Sequence, residues 1–171
     1  IPAEYIMMMH YLDDIDEKLQ AKLAVYIRSR QTTEGHYPLF TGGDGDISCS
    51  IKAYYALKMA GDNIDAEHMV KLRQYILSQG GAAKANVFTR IALATFEQLP
   101  WRGVPYIPVE IMLFPKWFPF HLDKVSYWSR TVMVPLFILC TLKATAKNPN
   151  KINVQELFII DPDKEKHYFP E

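Results

Sequence analysis

Acidic side chains cluster near the start of the chain, where Asp13, Asp14, Asp16 and Glu17 fall within five consecutive positions. Clustered carboxylates suit hard cations such as Mg²⁺, so this D-D-x-x-E spacing could hold a metal-bound diphosphate. The same acids also lie between two predicted helices. There Asp14 or Asp16 can cap the second helix, and acids in its first turn are stabilised by the helix dipole. We favour capping and predict no metal role for them.

Other candidate motifs are incomplete. The run Gly42–Asp46 (GGDGD) lacks the Gly-Lys-Ser/Thr of a phosphate loop and the remaining ligands of a calcium loop, so it is interpreted as a loop followed by a helix N-cap. The five histidines show no i, i+4 pair and no C-x-x-C companion, so a zinc site is not indicated. A G-x-S-x-G nucleophile motif is also absent. None of these motifs therefore identifies a nucleophile or a metal ligand.

Composition limits the classes of protein that the chain can represent. Its 171 residues suit one domain or part of a larger one, and 49% hydrophobic content allows a sizeable core. The formal charge is zero, with 19 basic and 19 acidic side chains, so no basic field exists to attract nucleic acid. Cys49 and Cys140 are far apart and do not indicate a disulfide framework. Because the chain starts at Ile1 on an amphipathic pattern, we expect it to be a fragment of a longer protein.

Helices are the elements that must position any functional side chain. Apolar residues recur at spacings of three and four, whereas β-type alternation of useful length does not occur. This pattern predicts helices over residues 3–12, 16–30, 47–60, 66–79, 86–98 and 123–143, the third capped by Asp46 and the last by Asp123. Residues 148–171 lose the pattern and are predicted to be a peripheral connection. The predicted fold class is all-α, with helices paired as in stacked α/α hairpins or a toroid.

The loop between the second and third helices has an informative spacing. Tyr26 lies near the helix end, and Gln31, Gly35 and Tyr37 follow within the loop. An aromatic ring at the helix end can pack against the core, and the Gln side-chain amide can form a hydrogen bond with the backbone at the N-terminus of the next helix. Gly permits a tight turn. A second ring can then stack on the amide. An ordinary glycine-containing loop remains the alternative explanation.

The segment from Val104 to Leu139 is the most aromatic part of the chain. Four prolines break it before Asp123, and five rings crowd into twelve positions: Trp117, Phe118, Phe120, Tyr127 and Trp128. Burying an aromatic ring stabilises a fold, whereas an exposed ring contributes little, so an ordinary surface loop does not need this much aromatic area. The segment either packs as a core corner or lines an apolar cavity. Composition leaves both open.

The loop at Gln31 resembles the QW motif of triterpene cyclases, with Tyr37 where Trp is usual. Wider similarity points to the squalene–hopene cyclases of bacteria and runs in order from Glu4 to about Phe158. It is carried by these segments: SIKAYYALK at 50–58, GGAAKANVFTR at 80–90, Pro100-Trp101, PVEIM at 108–112, WFPFHL at 117–122 and SYWSRT at 126–131.

The resemblance implies two α/α barrel domains with a large apolar cavity between them. Residues 1–171 then form a single partial domain, a portion of the non-catalytic barrel. The family's D-x-D-D proton donor is absent from the sequence, because Asp13-Asp14-Ile15-Asp16 has a different order. Such enzymes are isomerases that cyclise squalene to hopene or hopanol without metal or cofactor. They are monotopic proteins at the cytoplasmic side of the membrane. The full-length protein could also form a homodimer. The fragment alone is expected to be inactive.

The resemblance also assigns roles to particular positions. Trp128 is implied to line the central cavity, with Phe88 near it, and Val125 and Met133 match the channel constriction. Tyr26, Gln31, Gly35 and Tyr37 match structural positions of the QW motif, and no catalytic or metal position is matched. Aromatic faces stabilise carbocations without offering a nucleophile.

For the side chains without such a match, a structural role is the prediction. Trp117, Phe120 and Tyr127 are expected in the core, and Glu110 is expected to satisfy an arginine or a helix terminus.

Two other functional classes remain alternatives. The chain could be a stand-alone helical lipid-binding or interaction module with the cyclase fold. An oxidosqualene cyclase is a weaker alternative, because the sequence as a whole is more similar to the bacterial squalene cyclases.

Overall fold

The computed structural model describes residues 1–105, 108–119, 121–166 and 168. Within these residues the helices are α1 (Pro2–Leu12), α2 (Glu17–Ser29), α3 (Ile47–Met59), α4 (Glu67–Ser78), α5 (Val87–Thr95) and α6 (Tyr127–Leu142). Short 3₁₀ turns lie at Ala82–Lys84, Trp101–Gly103, Val109–Leu113, Leu122–Lys124 and Gln155–Leu157. These ranges contain no β-strand, only an isolated antiparallel bridge between Pro38 and Gly45. The all-α prediction is confirmed.

Polar side chains at the helix starts explain where most helices begin. The carboxylates of Asp16 and Asp46 accept hydrogen bonds from the backbone amides of Leu19 and Cys49, at 3.0 and 2.6 Å. The predicted cap at Asp46 is confirmed, and of the two candidates Asp14 and Asp16 it is Asp16 that caps α2. The predicted cap at Asp123 is wrong. Asp123 lies inside a 3₁₀ turn, and Ser126 caps α6 instead by accepting from an amide one turn further on.

Helix α3 is the centre of the core. It contacts α1, α2, α4 and α5, and its side chains Ile51, Tyr54, Tyr55 and Leu57 are fully buried. Two buried tyrosines on one helix bring two hydroxyls that need partners. Both partners lie about one hundred residues later, because Tyr54 donates to Glu156 Oε1 at 3.0 Å and Tyr55 donates to the carbonyl oxygen of Ile152 at 2.8 Å.

Residues 144–166 form what we call the C-terminal strap. The prediction that residues 148–171 are peripheral is wrong for the described part of that segment. Val154 and Leu157 have no exposed surface and belong to the main hydrophobic cluster. The strap is held by irregular hydrogen bonds: the Ala146 amide donates to the carbonyl oxygen of Thr95 at 2.7 Å, and the Val154 amide donates to Gln98 Oε1 at 2.8 Å. Because these bonds join the strap to helix ends, its burial leaves no periodic signal in the sequence.

Helix α6 is the least embedded of the helices. Phe137 is its one buried residue, whereas Ile138 and Leu142 are exposed. Trp117 and Tyr127 are 77% and 79% exposed, so their predicted burial in the core is wrong for this chain; Phe120 lies outside the described residues. In the part of the chain that the structure describes, every helix is too short or too polar to cross a bilayer.

Candidate functional site

The two predicted cavity aromatics occupy equivalent places in the fold. Trp128 is the second residue of α6 and Phe88 is the second residue of α5. The side chain of Asn86 caps α5, since its Oδ1 accepts from the backbone amide of Thr89 at 2.9 Å. The backbone amide of Asn86 donates to Ser48 Oγ of α3 at 2.9 Å. The backbone that carries Phe88 is therefore fixed to the core, while the ring itself is 59% exposed. Trp128 is 75% exposed.

The two predicted constriction residues lie on either side of Trp128 in the sequence. Val125 directly follows the 3₁₀ turn Leu122–Lys124, and its amide donates to the carbonyl oxygen of Leu122 at 3.0 Å. Met133 lies five residues beyond Trp128 in α6, and both Val125 and Met133 are half-buried. Three clefts on the described residues are lined by other side chains, and the rings of Trp128 and Phe88 are mostly exposed rather than enclosed.

The loop after α2 is organised by Gln31. Its Nε2 atom donates to two carbonyl oxygens, of Gly35 at 2.8 Å and of His68 in α4 at 2.9 Å. Gly35 has φ of 89°, and a Cβ atom there would lie 2.6 Å from Lys71 Cβ. Glycine is therefore the residue that fits both the left-handed backbone and the close approach to α4. This geometry attaches the loop to α4 rather than to the immediately following helix.

The two tyrosines of the motif have different surroundings. Tyr37 is buried, and its hydroxyl donates to the carbonyl oxygen of Ile27 at 3.1 Å. Burial is the main cause that raises the pKa of Tyr37 above its ordinary value, so its ring stays neutral. Tyr26 does not pack into the core as expected. It is 47% exposed and lies under the guanidinium of Arg30, whose Cζ is 5.1 Å from the ring centroid. Tyr26 and Tyr37 nevertheless line the same cleft as Gln31.

A charged cluster that the sequence did not predict supports the same junction. Arg28 at the end of α2 donates to both carboxylate oxygens of Asp62, at 2.7 and 2.9 Å, and His68 Nε2 lies 2.7 Å from Asp62 Oδ2. Burial acts to raise the pKa of Asp62, but hydrogen bonds from Arg28 and His68 outweigh it and lower that pKa below its ordinary value. His68 therefore takes part in both features: its ring bonds to Asp62 in the charged cluster, and its backbone carbonyl oxygen accepts the hydrogen bond from Gln31.

The carboxylates brought together by the fold are ion-paired and therefore poorly suited to donate protons. Burial opposes ionisation of Glu156, yet Lys58 at 2.5 Å and Tyr54 hold the pKa of that carboxyl below its ordinary value. Glu110 is exposed and lies in the first turn of Val109–Leu113, which is compatible with its expected role at a helix terminus. Within the described ranges, His, Cys, Asp and Glu form no group of three close enough to hold a metal ion.

Comparisons with known proteins give the family. The model of the squalene-hopene cyclase N-terminal domain matches residues 1–171. A squalene–hopene cyclase of Bradyrhizobium diazoefficiens is 52% identical over 163 residues, which cover 95% of this chain and 25% of that protein. The corresponding values are 48% over 167 residues for a cyclase of Schizosaccharomyces japonicus (97% and 26%) and 36% over 159 residues for one of Alicyclobacillus acidocaldarius (93% and 25%).

The chain therefore spans about a quarter of the length of the relatives it matches. The family match extends over the whole chain, and the described residues are helical in the order that the sequence predicts. The resemblance drawn from the sequence is confirmed, and so is the fold class that it implied. The chain belongs to the squalene–hopene cyclase family and corresponds to its N-terminal domain.

Proposed function

We propose that this chain forms scaffold and part of the cavity wall of an enzyme that cyclises squalene to hopene or hopanol. The observation that carries the proposal is the exposed ring of Trp128, which lies at the capped start of a helix whose later turns are mainly apolar. Trp128 is 75% exposed in this chain, and covering an indole with further protein or with an apolar ligand is favourable because it removes apolar surface from water. An apolar substrate in an aromatic-lined cavity would use this surface.

The chemistry gives the exposed rings a role. Protonation of an alkene starts a cascade of carbocations, and each aromatic face can stabilise a nearby cation by about 0.5–2 kcal/mol. Indole is the best of these faces and carries no nucleophile that would quench the cation. The proton donor has to come from another part of the enzyme, because the D-x-D-D motif is absent from this sequence. On this proposal the isolated 171-residue chain forms no hopene when incubated with squalene, and product from it would contradict the proposal.

The nature of the substrate also bears on location. Squalene is a hydrocarbon and partitions into the interior of bilayers, so an enzyme that takes it directly must meet a membrane surface. We propose that the full-length enzyme is monotopic, on the cytoplasmic side of the membrane. The reaction that gives hopene is an intramolecular isomerisation, in which the last carbocation loses a proton, whereas hopanol requires one water molecule to add to that cation. A homodimer is compatible with this arrangement and is not required by it.

Replacing Trp128 in a full-length cyclase that carries this chain tests the cavity role. With detergent-dispersed squalene, Trp128→Ala should lower turnover about two- to thirty-fold, the loss of one cation–π contact. It should also release incompletely cyclised products, measured by gas chromatography with mass spectrometry. Trp128→Phe should retain most of the rate because it keeps an aromatic face.

The matched control is Trp117→Ala, which removes an equally exposed indole from outside the proposed cavity. It should leave rate and products unchanged in detergent. Unchanged thermal unfolding of all three variants shows that the fold is intact. If Trp128→Ala keeps the rate and products of the parent enzyme, Trp128 does not line the cavity.

A further inference from the structure

Helix α3 carries two buried serine hydroxyls that hold two different parts of the chain. Ser48 is 3% exposed and Ser50 has no exposed surface. Ser50 Oγ accepts a hydrogen bond from the backbone amide of Tyr37 at 3.1 Å, whereas Ser48 Oγ accepts one from the backbone amide of Asn86 at 2.9 Å. The bond to Asn86 joins α3 to the start of α5 across 38 positions of sequence. The two serines are therefore alike in burial and bonding but differ in what they hold.

The hydroxyl of Ser48 takes the place of an acceptor that α5 does not supply. In a capping box, the side chain of the third helical residue accepts a hydrogen bond from the amide of the N-cap residue. The N-cap of α5 is Asn86, and its third helical residue is Thr89. Thr89 Oγ1 is buried and has no hydrogen-bond partner among the described residues, so it does not bond back to Asn86. The acceptor for that amide comes from α3 instead.

Phe88 takes its position from this first turn of α5. Its ring is 59% exposed, whereas the next residue, Thr89, is 1% exposed and packs on the core side of the same turn. The Cα atom of Phe88 lies only two residues from Asn86, so a shift in the start of the helix moves the ring as well. Small displacements matter in an active site, since a misplacement of about 1 Å can lower a rate about 100-fold.

We propose that Ser48 is a positioning residue for Phe88, and that its hydroxyl sets where this ring meets the carbocations formed during cyclisation. Ser48 is buried in the core and acts through the backbone of Asn86, not by touching the substrate. The inference rests on the proposed function, from which it takes the cavity role of Phe88. It adds a dependence of product accuracy on one hydroxyl of α3.

The two serines of α3 provide a matched comparison in a full-length cyclase that carries this chain. Ser48→Ala leaves the amide of Asn86 without its acceptor, and Ser50→Ala does the same to the amide of Tyr37, so both should lower the thermal unfolding midpoint by similar amounts. With detergent-dispersed squalene, only Ser48→Ala should raise the fraction of incompletely cyclised products, about threefold or more, and lower turnover with little change in KM. Gas chromatography with mass spectrometry measures the products. Identical product spectra for the two variants would overturn the proposal.

A conservative variant separates the hydroxyl from the volume of the side chain. Ser48→Thr keeps the acceptor for the amide of Asn86, so it should give the product spectrum of the parent enzyme. A spectrum like that of Ser48→Ala would contradict a role for the hydroxyl.

A double-mutant cycle shows whether Ser48 acts through Phe88. Phe88→Ala should itself increase incompletely cyclised products, and adding Ser48→Ala to it should cause no further change. Additive effects would show that Ser48 acts through another residue, which would overturn the proposal. If Phe88→Ala changes the products and Ser48→Ala does not, the positioning inference fails and the proposed function stands. A parent enzyme that forms neither hopene nor hopanol from squalene would contradict the proposed function, and this inference with it.

Discussion

Asp62 and Arg28 form a two-point ion pair across 34 positions of sequence, with both guanidinium hydrogen bonds at 2.9 Å or less. Asp62 is 7% exposed at its side chain and Arg28 is 39% exposed. The pair joins the end of α2 to the turn before α4, next to the loop that Gln31 attaches to the same helix. Two independent contacts therefore hold one junction, and each can be removed separately.

Removing the negative charge of Asp62 should destabilise this junction. Asp62→Asn keeps the shape but weakens the bonds to Arg28 and His68, so we expect a loss of about 1–2 kcal/mol in the free energy of unfolding. The measurement is denaturant unfolding at pH 7, with Asp65→Asn on the same turn as control because Asp65 is exposed. Equal stability of the two variants would show that the ion pair contributes nothing.

The pH dependence of that loss checks its electrostatic origin. The pKa of Asp62 is lowered in the folded chain, so its contribution is fully present above the ordinary carboxyl pKa of about 3.9. It is lost as pH falls through the lower, folded value. The stability difference between the parent and Asp62→Asn should therefore persist from pH 7 to about pH 5 and shrink below pH 4. A difference that does not change with pH would indicate a steric effect.

Gln31 should be sensitive to the loss of its amide hydrogens. Gln31→Glu removes both donors and places a carboxylate beside the carbonyl oxygens of Gly35 and His68, so we expect a loss of about 1–3 kcal/mol. The control is Gln74→Glu on the exposed side of α4, which makes the same chemical change in solvent. Thermal unfolding midpoints at neutral pH compare the two variants. Equal midpoints would show that the two hydrogen bonds of Gln31 do not stabilise the loop.

The strap offers a test of its unpredicted burial. Leu157→Ala should cost about 2–5 kcal/mol, because it leaves a cavity at a side chain that has no exposed surface. Ile159→Ala, two residues away and 63% exposed, should change stability by less than about 0.5 kcal/mol. Urea unfolding followed by circular dichroism measures both. If the two variants lose the same stability, the strap is not part of the core.

Local chemistry was enough to predict much of the fold. Asp16 and Asp46 were identifiable as caps because an N-cap acts on amides only three residues away. Asp123 was assigned wrongly for a related reason: the 3₁₀ turn it occupies moves the start of α6 to Ser126, and short 3₁₀ turns leave no clear pattern.

Tertiary partners could not be predicted from the sequence. Arg28 and Asp62 are surface-type residues in any local window, and their pairing exists only because α2 and the turn before α4 meet. Burial of Val154 and Leu157 follows from the position of α3, not from periodicity in the strap. The cavity assignment of Trp128 and Phe88, like that of Val125 and Met133, stays a prediction, because the first two side chains are exposed and the other two half-buried in the described residues.

The strap sets the order in which this domain can be completed. The hydroxyls of Tyr54 and Tyr55 find their partners 102 and 97 residues later, so α3 cannot be fully satisfied while the chain is still short. During synthesis, α1 to α5 emerge from the ribosome before residues 152–157 are available to cover them. Contacts of such long sequence separation form slowly, and the open apolar surface of the waiting helices is prone to aggregation. We therefore expect the nascent chain to need protection until residues 152–157 close over the helices made first.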